Sequence, residues 1–213
     1  RTGIPAITVP RLDSGVIDLP LAVGTTTFPE KFNRGYFQSF NLTIQRDIGA
    51  GFNLQTGYVG TRAIRQTALL NINTADAGGG NAGRELAKRF PGRIGNITMY
   101  TPFNTSNYNS LQTQLRRQFK DGGMFGVSYT WSKSLAYADN NDSGLSWNLP
   151  QHWDRNRAPA GFDRTHNMQV YGAYDLPFGK GKSMLASGPG AMLLGGWQIN
   201  GAMSLLTGTP FTV

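Results

Sequence analysis

The chain lacks cysteine and has few charged residues. With no Cys among its 213 residues, disulfide bonds, thiolate metal sites and a thiol nucleophile are all excluded. Charged residues make up 15% and hydrophobic residues 39%, and the mean hydropathy of -0.33 is low for a protein with a thick buried core. No segment reaches the roughly 18 apolar residues of a membrane helix. Together with 28 Gly and 11 Pro, this composition disfavours a helical bundle and favours strands joined by turns.

The balance of charge is basic, with a net charge of +8. Nucleic acid is the obvious partner for such a chain, but the basic residues are dispersed and no run of five or six Lys or Arg occurs. We therefore expect no nucleic-acid partner. The chain opens on Arg1 with neither an initiator Met nor the apolar region of a signal peptide, so we expect a piece of a longer protein.

Residues 108–135 show the clearest pattern, which is that of an antiparallel hairpin. Side chains of a strand point alternately to its two faces, and here one face is apolar while the other is polar. The turn between the two strands contains Gly122 and Gly123. The apolar face carries Leu111, Leu115, Phe125, Val127 and Trp131. Four residues of the first strand are expected to face a polar lumen: Gln112, Gln114, Arg116 and Gln118.

The same alternation recurs along the chain. It predicts a second hairpin over residues 36–59 and strands over 166–176 and 197–207, for six to eight strands in all. Strands of about ten residues are long for a soluble protein and typical of a membrane barrel. Aromatic residues expected near strand ends fit interfacial girdles: Tyr36, Tyr58, Tyr108, Trp131, Trp197 and Phe211.

These observations predict an all-β fold of antiparallel strands, forming part of a transmembrane β-barrel with long loops. Residues 1–33 are predicted to be an extended connecting segment, and residues 34–213 the barrel segment. Long loops are expected at about 62–106 and at 136–163. The first is expected to contain one short helix near 84–90 and to be flanked by two sheet positions near 69–72 and 97–100. A soluble β-sandwich binding module is the alternative, since its strands also alternate.

Several short runs resemble the barrel of Oar-like TonB-dependent outer-membrane receptors. They occur in family order from about Phe32 to the end of the chain. The runs are Arg34-Gly35-Tyr36, Asn41-Leu42-Thr43-Ile44-Gln45-Arg46, Gly57-Tyr58-Val59-Gly60, Asn107-Tyr108-Asn109-Ser110-Leu111-Gln112, Ser128-Tyr129-Thr130-Trp131-Ser132-Lys133-Ser134, Asp163-Arg164-Thr165-His166, Leu176-Pro177-Phe178-Gly179-Lys180-Gly181, Gly195-Gly196-Trp197-Gln198 and Thr207-Gly208-Thr209-Pro210-Phe211.

The resemblance implies a bacterial outer-membrane barrel of about 22 strands around a plug, which imports a ligand with energy supplied by TonB. No plug, TonB box or terminal aromatic strand is recognisable in this sequence. We therefore expect a middle-to-late slice of such a barrel that does not transport by itself. The implied partners are the TonB complex, through parts of the receptor not recognised here, outer-membrane lipid or lipopolysaccharide, and an unknown ligand.

Enzymatic chemistry finds little support in the sequence. A hydrolase would pair Ser132 or Ser143 with His152 or His166, but no Gly-x-Ser-x-Gly elbow is present. Residues 179–183 resemble a phosphate loop whose first Gly is missing. We expect a protein that is not an enzyme and that needs no cofactor. A hydrolase remains a third, less favoured alternative.

Two loop segments contain candidate binding residues. Asp139, Asn141 and Ser143 match the first half of a calcium loop, but Pro150 replaces the closing Glu, so a solvated loop is the preferred interpretation. The aromatic and basic side chains that follow offer stacking area and charge for a glycan or peptide ligand. Packing of the loop against itself is the other interpretation. The candidate ligand-binding residues are Trp147, Trp153, Arg155 and Arg157.

Overall fold

The computed structural model describes residues 13–15, 19–119, 122–139, 145 and 149–211. The strands are β1 (Thr25–Thr27), β2 (Tyr36–Gly49), β3 (Phe52–Asn71), β4 (Ile97–Gln118), β5 (Met124–Ala136), β6 (Ala158–Pro159), β7 (His166–Asp175) and β8 (Gln198–Leu206). The helices are α1 (Glu85–Arg89), α2 (Pro189–Leu194) and a 3-10 turn of helix at Pro150–Asn156.

The strands form one open sheet in which six long strands follow one another in chain order. The order is β2-β3-β4-β5-β7-β8, with every neighbouring pair antiparallel. Two short strands extend it, since β1 pairs with β4 in parallel and β6 pairs with β5. The predicted all-β antiparallel fold is confirmed. Across the described residues all strands belong to this single sheet, which is not the two-layered arrangement of a β-sandwich.

Tight turns set the register of the predicted hairpins. Between β2 and β3 the chain reverses through Gly49, Ala50 and Gly51, all at positive φ, a region that glycine enters at little cost. The Gly49 N–H donates to Asp47 Oδ1 at 2.7 Å, which holds the bulge that precedes the turn. The pairing of β4 with β5 runs from Gln118↔Met124 to Ser106↔Ala136, as the alternation predicts.

The pairing aligns alternate residues into rows that cross all six long strands. One face, the polar face, carries amides and hydroxyls, and the opposite face, the apolar face, carries mostly hydrophobic side chains. A polar-face row runs through Gln45, Gln55, Gln114, Ser128, Gln169 and Ser204. The neighbouring apolar-face row runs through Arg46, Leu54, Leu115, Val127, Val170 and Met203.

The first loop is shorter than the sequence predicts. β3 and β4 continue through residues 62–71 and 97–106, so the sheet positions predicted near 69–72 and 97–100 are the ends of two continuous strands, and the first loop spans only residues 72–96. Register shifts flank Gln66, and Arg65 adopts a φ of 55°. These bulges interrupt the two-residue period that marks a strand in the sequence. For the same reason Tyr58 and Tyr108 lie within β3 and β4 rather than near strand ends.

The two ends of the sheet differ in their connections. At one end, the long-loop end, lie the first loop (72–96) and the second loop (137–165). At the other, the short-turn end, lie the turns at 50–51 and 119–123, together with a longer connection at 176–197 that contains α2. The predicted helix in the first loop is α1. No helix in the described part of the chain is long and apolar enough to cross a membrane.

Buried residues are few and small. The buried hydrophobic side chains lie toward the long-loop end, where loops cover the sheet: Ala63, Ala68, Leu70, Ala136, Ala138 and Ala160. Every residue of β2 and β8 is exposed, because each of these strands has one neighbour. The sheet is therefore a single layer, which agrees with the low hydrophobic content of the sequence.

Candidate functional site

The polar face forms a continuous strip of uncharged hydrogen-bonding groups. Gln114 Nε2 donates to Ser128 Oγ at 3.1 Å, and Gln112 Nε2 donates to Ser110 Oγ at 3.2 Å. Along the paired rows described above, charges on this face occur toward the short-turn end, at Asp47, Arg116 and Asp175. Amides and hydroxyls both donate and accept, so this strip suits a polar and largely uncharged ligand.

A cavity of about 540 Å³ opens on the polar face at the short-turn end. Its lining includes Arg116, Gln118 and Tyr171, and Gln45 Nε2 donates to Asn53 Oδ1 at 3.0 Å beside them. Gly126 lies under the Tyr171 ring, which occupies the space that a Cβ at Gly126 would need. The four residues predicted to share a lumen face do share one face of β4, and two of them line this cavity.

The apolar face is bordered at both ends by cations. Arg117 lies on the Phe52 row near the short-turn end, and Lys133 lies on the Gly60 row toward the long-loop end. The two rows are eight residues apart along β3, which is about 26 Å of strand at ~3.3 Å per residue. At the usual strand tilt of about 35–45°, this length covers roughly 20 Å along the membrane normal, most of the apolar band of an outer-membrane barrel, which is about 25 Å tall.

A family model described as an outer membrane beta barrel domain matches residues 1–213. The chain belongs to the outer membrane beta barrel domain family. It is thus part of a protein of the bacterial outer membrane. No curated protein and no solved structure matches the chain. In this family the difference between the two faces of the sheet has a physical cause, because the face that contacts lipid must be apolar.

The second loop of this barrel domain brings two predicted ligand-binding residues against the sheet. The Trp153 ring packs on Phe103 of β4, with centroids 5.5 Å apart, and its buried Nε1 has no hydrogen-bond partner. Arg157 Nη2 donates to Asn107 Oδ1, and its guanidinium lies 5.9 Å from the Tyr137 ring centroid. Two of these contacts pack the second loop against β4, and the third lies within the loop. Arg155 is exposed, and Trp147 lies outside the described residues. A role for the four in ligand binding stays a prediction.

Asp163 attaches the second loop to the sheet, a role that the sequence did not predict. Asp163 is buried, and its Oδ1 accepts the Ser134 N–H at 2.6 Å while its Oδ2 accepts Lys133 Nζ at 2.9 Å. The next residue, Arg164, donates from Nη1 to the Thr207 carbonyl at 2.8 Å. The run Asp163-Arg164-Thr165-His166 therefore joins β5, β7 and the segment after β8. The sequence signal was the motif itself, whose partners lie far away along the chain.

The residues of the hydrolase alternative are engaged elsewhere. Tyr129 and His166 Nδ1 share a hydrogen bond of 2.7 Å, and their rings stack with centroids 6.1 Å apart. Ser132 Oγ donates to the Arg164 carbonyl at 2.9 Å. His152 lies in the 3-10 helix, and Ser143 lies outside the described residues. Of these groups, Ser132 and His166 thus bond to partners other than each other. The absence of enzymatic activity stays a prediction.

Two of the three predicted calcium ligands lie outside the described residues. These are Asn141 and Ser143, and the Asp139 carboxylate accepts the Gly161 N–H with Oδ1 at 3.0 Å. Within the described residues, no group of three His, Cys, Asp or Glu side chains could hold a metal ion.

The first loop is organised around Asn73, which the sequence did not reveal. Asn73 is fully buried, donates to the Arg93 and Gly95 carbonyls at 3.2 and 2.8 Å, and accepts the Leu86 N–H at 3.0 Å. On the exposed side of α1, the hydrogen bond from Lys88 Nζ to Glu85, at 2.7 Å, raises the pKa of Lys88. The first loop is therefore held together by specific hydrogen bonds and is not a loose connection.

Proposed function

We propose that this chain forms part of the wall of an Oar-like TonB-dependent receptor, and that its polar face lines the path of the imported ligand. The observation that carries the proposal is the strip of uncharged polar side chains crossing six strands opposite an apolar face. Outer-membrane barrels place polar side chains inside and apolar side chains against lipid. On this proposal Gln112, Gln114, Arg116 and Gln118 face the lumen.

The architecture supports a large barrel. Open sheet edges are not tolerated in lipid, so the free edges of β2 and β8 require further strands before the sheet can close. Staggered hairpins are a further requirement of closure. The strands of this sheet show such a stagger when residue pairs are counted from the row through Phe52 toward the short-turn end. The β4–β5 hairpin has one further pair, Gln118↔Met124, and the β7–β8 hairpin has three, ending at Asp175↔Gln198.

The proposal includes the sides of the membrane and the partners. Short turns lie on the periplasmic side of outer-membrane barrels and long loops outside the cell. The first and second loops would then meet the ligand first, with Trp153, Arg155 and Arg157 near the entrance. The net charge of +8 suits anionic lipopolysaccharide or an anionic ligand. The protein would act without catalysis, cofactor or nucleic acid.

The test is binding of the complete receptor, extracted from its native membrane, to the purified periplasmic domain of TonB. We expect saturable binding, measured by surface plasmon resonance, that is lost when the receptor is digested at its periplasmic side. A bovine serum albumin surface is the control for non-specific adsorption. A full-length barrel that binds TonB no better than this surface would contradict the receptor function, while leaving the barrel fold intact.

A further inference from the structure

The apolar face contains a groove close to the short-turn end. Gly172 of β7 and Gly201 of β8 are paired in the register, and both lie on this face. The position where Gly201 would carry a Cβ is open space, which leaves a depression there. At Gly172 a Cβ would meet the Met124 carbonyl oxygen at 3.2 Å and the Phe125 ring at 3.8 Å, so these atoms border the depression. Hydrophobic side chains flank it, including Phe125, Tyr174, Ile199 and Met203, and the cavity measures about 580 Å³. This volume falls in the range of small-molecule sites, roughly 300–1,000 Å³.

A cation lies beside this groove, outside the residues that line it. Arg117 lies in the same row as Gly172 and Gly201, two strands away from Gly172, or roughly 10 Å at the usual strand spacing. Its guanidinium lies over Phe52 at 4.7 Å and over Phe119 at 4.6 Å from the ring centroids. Phe119 also lines the groove, so the cation and the apolar cavity share a wall.

The Arg117 guanidinium lacks a polar partner within the described part of the chain. Its Nε is buried and has no hydrogen bond, and no described carboxylate pairs with it. Aromatic rings that stack on the faces of a guanidinium leave the N–H groups at its edge free to donate. Such a planar fork binds phosphate oxygens in a bidentate manner.

We propose that this groove is a specific site for one glycerophospholipid of the periplasmic leaflet. An acyl chain lies over Gly172 and Gly201, and the phosphate accepts hydrogen bonds from Arg117. The short-turn end places the site in the periplasmic leaflet, opposite the leaflet that holds lipopolysaccharide. The charge of the phosphate complements the cation, and the acyl chain covers the hydrophobic side chains that flank the shallow groove. The inference rests on the family's membrane setting and on the sides of the membrane given in the proposed function, and it does not require binding to TonB.

The experiment is lipid binding to the delipidated full-length protein in detergent, measured by native mass spectrometry. The probe is palmitoyl-oleoyl phosphatidylglycerol, and the comparison ligand is diacylglycerol with the same chains but no phosphate. We expect Arg117→Gln to weaken phosphatidylglycerol binding about tenfold, the loss expected for a charge-assisted hydrogen bond. Gly201→Leu, which fills the groove without meeting a neighbouring atom within 4 Å at Cβ, should weaken binding of both lipids.

Two matched variants serve as controls. Arg116→Gln removes the adjacent arginine from the opposite face, and Gly208→Leu alters an equally open glycine beyond β8. Both should bind phosphatidylglycerol as the wild type does. Wild-type affinity in Arg117→Gln, an equal loss in Arg116→Gln, or equal affinity for diacylglycerol would each overturn the proposal. If Gly201→Leu does not fold, the two arginine variants decide the question alone.

Discussion

At the residue scale, single buried polar side chains hold the loops of this barrel domain in place. Asp163 and Asn73 are both buried, and each bonds to backbone groups from distant parts of the chain. A buried backbone N–H or carbonyl without a partner costs about 1–3 kcal/mol, so each of these side chains prevents a loss of that order. Neither residue belongs to a period-two pattern, which is why the sequence predicted the strands and not the loop contacts.

Asp163 allows a direct test of this role. Asp163→Ala leaves the Ser134 N–H without its acceptor, so we expect the free energy of unfolding to fall by about 2–3 kcal/mol. Asp163→Asn keeps an oxygen acceptor and should lose less. The measurement is urea unfolding of the protein in detergent, followed by the fluorescence of its four tryptophans. Asp154→Ala, at an exposed position of the same loop, is the control and should lie within about 0.5 kcal/mol of the wild type. Equal stability of Asp163→Ala and Asp154→Ala would contradict an anchoring role.

At the element scale, β4 carries the contrast between the two faces in successive residues. Gln114 lies in the polar row and Leu115 in the apolar row. If Leu115 faces lipid, Leu115→Arg should lower the free energy of unfolding in lipid vesicles by about 1–2 kcal/mol. This is less than the cost at the middle of the bilayer, because Leu115 lies one row inside the Arg117 border of the apolar band. Gln114→Arg, one residue away, should change it by less than about 1 kcal/mol because its side chain remains in water.

Comparing Leu115→Arg with Gln114→Arg also shows which face of β4 contacts lipid. Similar losses for both variants would contradict the membrane position of β4, and a larger loss for Gln114→Arg would reverse the lumen assignment of Gln112, Gln114, Arg116 and Gln118. Repeating the pair in detergent micelles separates the effect of the bilayer from general misfolding.

The elements that the sequence predicted well are those where alternation is unbroken. The turns of both hairpins and the strands β5, β7 and β8 lie within one or two residues of their predicted bounds, since their side chains alternate regularly between a polar and an apolar face. The far ends of β3 and β4 extend more than ten residues beyond the predicted hairpins. The prediction ended too early in β3 because bulges beside Gln66 shift the register and exchange the faces. The groove at Gly172 and Gly201 could not be predicted, because it depends on which residues of two strands are paired.

At the scale of the whole molecule, the open sheet requires additional strands in the membrane. All residues of β2 and β8 are exposed, and within the described part of the chain each strand presents a row of unpaired backbone groups at its outer edge. In the bilayer core each unsatisfied group costs several kcal/mol, so strands of this length cannot remain unpaired there. The sheet must be closed by further strands, which come either from the same polypeptide or from other copies.

Denaturing gel electrophoresis and peptide mapping of outer-membrane fractions from the source bacterium test this requirement. We expect peptides of residues 34–213 in a species larger than 23.2 kDa, the mass of this chain, with peptides from additional barrel strands in the same band. A 23.2 kDa species that forms an oligomer in unheated samples would assign closure to several copies. This would contradict the large single-chain receptor but not the barrel. A folded monomer of 23.2 kDa in the membrane would contradict the closure argument itself, since six long strands would then have closed alone at a radius much smaller than the open sheet shows.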